Sequence, residues 1–475
     1  MLTSIRGYPV RPGLLVEWRL HPVVPGEPPE DPRAPSYMQE AHLRAVAFAR
    51  TAGWGSPSWL AAAFELPGRA RLDVLGSALQ AWVGRHETLR TGFRFSADGL
   101  RRFTFGLQDV RLRATVVGEF TGPGSVNRYL EARFDEVTDP LDSWPPMLFA
   151  AVLRDDSTTV FAAFDHSNTD GYSIGLTAHE IPELYLATAE GRPHGLPEAG
   201  SHADYSAAER EAAAVVGPDH PAVAVWKEFL EADGGALPGF PLPLGVGPEE
   251  VPESTGRLEA LATAEDSAAF EAVCKAATGG FLAGLLAAAA VAAQELGGQR
   301  EFRTTVPVHT RSDSRWASSI GWYVNVMPVA FRPARTDGFA EVVLMAARAM
   351  RTATPALSAP GVRAWELVGT VPVLRFMVSF IDGRAVPGSE HWKSRNMSGL
   401  GKSPRGDHVF LWFHRTHEGL SVTVIHPHTK FAREQVRRYV DRIRQIVGEV
   451  AATGTCAVRP PSAGDGENMA NASDG

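Results

Sequence analysis

Two neighbouring apolar runs constrain this chain more than any other feature. Residues 146–153 read Pro-Met-Leu-Phe-Ala-Ala-Val-Leu and residues 158–164 read Thr-Thr-Val-Phe-Ala-Ala-Phe, with Asp155-Asp156-Ser157 between them. Each run has strand length and the polar triplet is a turn, so the pair is expected to form a buried β-hairpin. The second run leads into Asp165-His166-Ser167-Asn168-Thr169-Asp170-Gly171, beyond which the chain turns helical through about Leu186. A polar segment between a buried strand and a helix is a place where a rigid scaffold presents chemistry.

The chain is too long for one core. At 475 residues it should divide into two lobes, and a cleft between lobes is a natural active site. Its 44% apolar and 21% charged residues are ordinary for a folded protein. A formal charge of −8, with no Lys/Arg run, argues against nucleic acid as a partner. The two cysteines, Cys274 and Cys456, lie far apart, which supports neither a disulfide framework nor a cysteine metal site. The N-terminus lacks the apolar core of a signal peptide, and the greasiest stretch, Phe281 to Ala293, is too short for a bilayer. A cytoplasmic monomer without a membrane span is the expectation.

Further elements surround the hairpin. A strand is expected at Leu14–Leu20, followed by a Pro-rich loop from Pro22 to Pro35 that cannot hold a helix. Ser36 and Gln39 have capping-box spacing at the head of a helical run through Arg44. Leu72, Leu75, Leu79 and Trp82 place a helix over 71–86, and strands follow at 100–105 and 112–117. The Pro-, Gly-, Glu- and Ala-rich segment 191–253 is the expected crossing between lobes. The second half resumes with helices over 264–277 and 280–296 and strands near 301–308, 324–331, 374–380, 409–413 and 420–426. A helix over 431–450 closes it, with Val436, Val440, Ile443 and Val447 as its apolar stripe. Alternating strands and helices indicate an α/β class. The expected division is an N-terminal lobe at 1–190, the crossing at 191–253, a C-terminal lobe at 254–456 and a disordered tail at 457–475.

A histidine in such a loop suits proton movement, because imidazole titrates near neutrality and can take a proton from a hydroxyl or amine and return it to a leaving group. Gly171 is expected to allow a sharp turn and Asp170 to hold the loop by an ion pair. Taken alone, His166 is more often a structural or solvated histidine than a catalytic one. Gly171-Tyr172-Ser173-Ile174-Gly175 also fits the G-x-S-x-G elbow of serine hydrolases. That elbow must follow its strand directly, whereas the strand here ends at Phe164, and Ser173 reads better as a helix cap. His414, His417, His426 and His428 lack metal-ligand spacing and read as exposed hairpin positions. Arg433, Arg437, Arg438, Arg442 and Arg444 on the last helix read as a solvated face rather than a docking site for an acidic carrier protein.

Three segments in order lift His166 above that background. The run from Asp165 to Glu180 resembles the HHxxxDG signature of nonribosomal-peptide condensation domains and polyketide-associated acyltransferases. Arg85-His86-Glu87-Thr88-Leu89-Arg90-Thr91-Gly92-Phe93 resembles the upstream RHE-x-LRT-x-F element, and Arg311 with Gly321-Trp322-Tyr323-Val324-Asn325-Val326-Met327-Pro328 resembles the downstream N-x-R…G-x-F-x-N-x-x-P element. The stretches 35–44 and 237–245 bring the similarity nearest to stand-alone acyltransferases of the polyketide-associated kind. The resemblance covers roughly residues 10 to 450 and departs at one position, where Asp165 stands for the first motif histidine.

The resemblance implies two chloramphenicol-acetyltransferase-like lobes in a V, with a tunnel between them and His166 midway along it. It implies transfer of an acyl group from a thioester, on a carrier protein or coenzyme A and hence on a phosphopantetheine arm, to a hydroxyl or amine of a small-molecule acceptor in natural-product or complex-lipid biosynthesis. Ester formation is favoured, and no permanently bound cofactor and no metal are called for. Asp170 is expected to pair with Arg311 as structural support, together with Gly171 and Asp165. Gly321, Tyr323 and Asn325 are expected at the tunnel, whereas His86 and Glu87 belong to an element that supports the fold. The alternatives are a recruitment module that has lost catalysis and, more remotely, a serine hydrolase using Ser173.

Overall fold

The expected hairpin is the centre of the first of two large sheets. The computed structural model describes residues 2–456 except 25, 27, 55–57, 98, 335–337, 371 and 403–404; the expected tail at 457–475 lies outside the described residues. Strands Met147–Leu153 and Ser157–Asp165 pair antiparallel, and every residue of both is buried. The full order of this seven-stranded sheet is Leu2–Thr3, Ser398–Gly401, Trp59–Pro67, Ser157–Asp165, Met147–Leu153, Gly13–Pro22 and Val110–Phe120.

Both faces of that sheet are covered, which is why its central strands read as unbroken apolar runs. Leu60, Ala62, Phe64, Phe149 and Phe164 face the helices Leu72–Arg85 and Gly171–Glu190 through Leu79, Trp82 and Ile181. Trp59, Ala61, Ala63, Leu148 and Phe161 face Val126, Leu130 and Phe134 of the helix Ser125–Val137. The central strand Trp59–Pro67 was not expected from sequence. Its Ala61-Ala62-Ala63 core has little strand propensity, and burial between two layers decides its conformation instead.

The second sheet has six strands in the order Ser254–Thr263, Gly419–Pro427, Val409–Thr416, Phe376–Asp382, Phe302–His309 and Val324–Phe331. One face packs on the helices Ala264–Ala276, Phe281–Gly297, Phe339–Ala353 and Lys430–Thr453, joining Val306, Val329, Val378, Leu411 and Val422 to Leu285, Val343 and Ile443. The other face, including Met377, Phe410, Trp412 and Ile425, lines a cavity rather than a layer of helices. No single helix among the described residues is long and apolar enough to cross a membrane. The greasy segment noted in the sequence is the helix Phe281–Gly297, almost wholly buried in this core.

Two features depart from a simple division into halves. The segment 191–253 carries the helices His202–Ala213 and Pro221–Glu231, and Ala213 and Trp226 join Tyr37, Val326 and Trp365 in one apolar cluster linking the sheets' surroundings. The strand Ser398–Gly401, from the C-terminal half, lies inside the first sheet, antiparallel to Trp59–Pro67. Its Leu400 is fully buried beside Trp59, Ala61 and Phe161. Leu400→Ala should therefore cost about 2–5 kcal/mol of stability through the lost transfer energy and the cavity left behind, read as a lowered urea midpoint.

Candidate active site

The loop after the buried hairpin is fixed at its first residue. The His166 N–H donates to the Ser58 carbonyl at 3.1 Å, and His166–Asn168 then forms a single 3₁₀ turn. Asp165, fully buried, caps that turn by accepting from the Ser167 N–H at 2.8 Å. The capping box of the helix Tyr37–Thr51 is present, with the Gln39 N–H on Ser36 Oγ at 3.2 Å and the Ser36 N–H on Gln39 Oε1 at 3.0 Å. Gln39 also donates from Nε2 to the Ser167 carbonyl at 2.8 Å. A residue that starts a helix thus also clamps the histidine loop.

Asp170 starts the next helix. Its Oδ1 accepts from the Ser173 N–H at 2.8 Å, so Asp170 is the cap, a role expected of Ser173. Its carboxylate also receives both guanidinium arms of Arg311, at 2.7 and 3.1 Å, and the Tyr323 N–H at 3.0 Å. Burial alone would raise the Asp170 pKa, but the Arg311 charge and these hydrogen bonds hold it below the usual carboxylate range. The guanidinium lies between the rings of Tyr172 and Tyr323, 4.8 and 4.3 Å from their centroids. Asp170 belongs to the first sheet's side and Arg311 follows a strand of the second, so the ion pair ties the lobes together at the site.

Trp322, next to that pair, stacks on His166 with ring centroids 3.9 Å apart and planes at 29°. Burial, followed by the neighbouring His42, pushes the His166 pKa down to about 4, so the imidazole is neutral near pH 7. Its Nδ1 is buried with no hydrogen-bond partner among the described residues. His42, from the helix Tyr37–Thr51, has its ring centroid 6.2 Å from that of His166 and presents Nε2 to both Asp165 oxygens at 3.1 Å. His42, His166 and Trp322 line a cavity of about 1610 Å³ bounded by elements of both sheets.

The structure moves several expected residues. Gly171 does not occupy the left-handed region; a Cβ there would meet Ile381 Cδ1 of the second sheet at 2.9 Å, so its smallness serves close approach of the lobes. Tyr323 is fully buried with its hydroxyl on Ser319, Asn325 bonds to the Ala359 carbonyl and the Gly361 N–H, and Gly321 packs on His202. The neighbours Trp322, Val324 and Val326 line the cavity instead. Ser173 is fully buried, its Oγ engaged by Arg311, the Gly321 carbonyl and the Gly321 N–H, which leaves no activated nucleophile for a hydrolase. Asp165 meets His42 rather than His166. His42 and Trp322 are the site residues that sequence reasoning passed over, although both lay inside quoted stretches.

The remaining sequence candidates are structural. His86 Nε2 meets buried Glu180 at 2.6 Å, and Glu87 meets Arg33 at 3.0 Å. His414 and His426 are buried, not exposed as expected, while His417 and His428 are exposed. Arg442 is likewise buried, against Glu295, and so is no part of a solvated face. Among the described residues no group of three or more His, Cys, Asp or Glu side chains is placed to hold a metal ion.

Comparison with known proteins agrees with this geometry. The Condensation domain family matches residues 43–371. Acyltransferase PapA3 of Mycobacterium tuberculosis is 27% identical over 93% of this chain and 95% of its own length. Trehalose-2-sulfate acyltransferase PapA2 of Mycobacterium bovis is 28% identical over 97% of this chain and 99% of its own. A solved PapA2 acyl transferase superposes with a TM-score of 0.86 at 26% identity, covering 95% of this chain and 99% of that one. The first condensation domain of the CDA synthetase shares the fold at a TM-score of 0.68 and 18% identity, over 89% and 97% of the two chains. The fold is thus the two-lobed, chloramphenicol-acetyltransferase-like one.

Removing Arg311 leaves a buried carboxylate unpaired. Arg311→Met should cost about 3–5 kcal/mol in denaturant unfolding. The pH dependence carries a sign. Between pH of about 6.5 and about 4 the unfolded chain holds a proton on residue 166 that the folded chain does not, so acidification over that window lowers stability. His166→Ala should make the unfolding midpoint less sensitive to acid between pH 6.5 and 4 than in the wild type, as followed by circular dichroism.

Proposed function

The chain belongs to the condensation-domain family and is an acyltransferase, and from that premise we propose that it moves an acyl group from a thioester to a hydroxyl or amine of a small molecule, ester formation being favoured. The observation that carries this reading is the neutral His166 imidazole at the wall of a cavity of about 1610 Å³. Ordinary ligand pockets hold about 300–1,000 Å³, so this one has room for two substrates to meet.

The chemistry needs no acyl-enzyme. The acceptor oxygen attacks the thioester carbonyl while His166 takes its proton; the C–O bond forms, the C–S bond breaks and the proton passes to the departing thiolate. Ester and free thiol are the products. The donor arm is a phosphopantetheine, on a carrier protein or coenzyme A. Its acyl chain lies along the apolar cavity wall of Met377, Phe410, Trp412 and Ile425. Asp170 and Arg311 position the loop and do not react.

The relatives' names support acylation of a sugar hydroxyl within complex-lipid assembly, since one relative is called a trehalose-2-sulfate acyltransferase. A recruitment module without turnover draws no support from a site in which His166, Asp170 and Arg311 are all in place. The test is His166→Ala with long-chain acyl-coenzyme A and a panel of alcohols and amines. Transfer should fall by about 10²–10⁴-fold, the range of general-base catalysis, and unchanged turnover would overturn the reading.

A further inference from the structure

The ring that covers a face of His166 is an indole, and its place is set through the main chain. The Gly321 N–H donates to Ser173 Oγ at 3.2 Å, the Trp322 carbonyl accepts from His202 Nε2 at 3.1 Å, and the Tyr323 N–H donates to Asp170 at 3.0 Å. Three successive residues are thus tied to three different buried side chains. A Cβ on Gly321 would collide with the His202 ring, so glycine there leaves the histidine room to reach that carbonyl. With its backbone so held, the half-buried Trp322 stacks on His166 at 3.9 Å, planes 29° apart, and meets His42 edge to face at 5.5 Å.

A stack covers a face of the imidazole and leaves its edge, where the nitrogens lie, to the reaction. The influence of Trp322 on the ring is therefore electrostatic. An indole face carries negative potential and attracts a cation lying within about 6 Å of its centroid, more strongly where water is excluded. A neutral imidazole responds weakly to that potential and an imidazolium strongly. The other charges around the ring do not suffice: Asp165 and Asp170 favour the charged form but are engaged by His42 and Arg311, and burial together with His42 outweighs them.

We propose that Trp322 is a positioning residue whose indole face stabilises the positive charge that His166 acquires on taking the acceptor's proton. His166 holds that proton between its removal from the hydroxyl or amine and its delivery to the departing thiolate, and for that interval the stack is imidazolium on indole. Such an interaction is stronger in the transition state than in the resting enzyme, which is the condition for raising kcat rather than lowering KM. The inference rests on the acyl-transfer reading above and adds to it the group that offsets the desolvation of the base.

The test installs mono-, di- and trifluorinated tryptophan at position 322 alone, with thermal midpoints recorded for each protein. Fluorine withdraws electron density from the indole face while the ring keeps nearly its size and its stack. With palmitoyl-coenzyme A and octanol, kcat should fall stepwise with each fluorine, by about tenfold across the series, while KM stays nearly constant. A flat kcat, or losses that appear in KM instead, would overturn the proposal, because a ring that merely fills space or orients His166 is indifferent to fluorine. A second readout needs no substrate. With the histidines isotope-labelled, the protonated fraction of His166 at about pH 5, read by NMR, should fall with each fluorine, and an unchanged fraction is the contrary result. If the wild type transfers nothing, the acyl-transfer reading fails on these substrates, and the NMR series still decides the part assigned to the indole.

Discussion

The buried pair of Asp170 and Arg311 is the interaction on which the rest of this site depends. Each side chain is almost wholly withdrawn from water, and a charge so placed is tolerable only if its partner is present and its remaining hydrogen-bonding capacity is met. Asp170 meets the second condition with the main-chain N–H groups of Ser173 and Tyr323; Arg311 donates further to Ser173 Oγ and the Ser319 carbonyl, and only its buried Nε finds no partner among the described residues. The donors come from both lobes. Satisfying one carboxylate therefore fixes the end of a helix in one lobe and the segment 319–323 in the other. Trp322, inside that segment, arrives against His166 as a consequence.

The same logic bears on the largely desolvated His166, the base of the proposed reaction. Its environment disfavours the charged form: burial and the neighbouring His42 outweigh the opposing pull of the Asp165 and Asp170 charges. Asp165, the nearest by sequence, is committed to His42. A neutral imidazole is then the resting state across the ordinary pH range, at the cost of basicity. In the proposed reaction the transition state supplies the difference, through charge that develops only as the acceptor attacks.

Much of this was legible in sequence, for reasons that differ by residue. The hairpin could be read because strands buried on both faces carry apolar runs, and the Tyr37 helix because its cap has a fixed spacing. The partnership of Asp170 with Arg311 followed from a family motif, and the two prove to lie 2.7 Å apart. The strand Trp59–Pro67 was not legible, because three alanines carry no period and only tertiary burial makes them a strand. Which residues of 321–326 face the cavity was also hidden. A one-residue change of parity turns every side chain to the other face, and here both faces are mostly buried, so hydrophobicity does not report it. His42 was hidden for a third reason: its meaning lies in a carboxylate 123 residues away.

The strand Ser398–Gly401 has a further consequence for how substrates reach the cavity. By crossing from the second half of the chain into the first sheet, it stitches the lobes together through main-chain hydrogen bonds beside the strand that leads to His166. Lobes joined in this way cannot part like a jaw without tearing a sheet ladder. For the proposed reaction this leaves the ends of the cavity as the route for substrates, which then meet by threading rather than by enclosure. An enzyme of this plan would change its clientele by altering the residues along that passage while leaving the stitch intact.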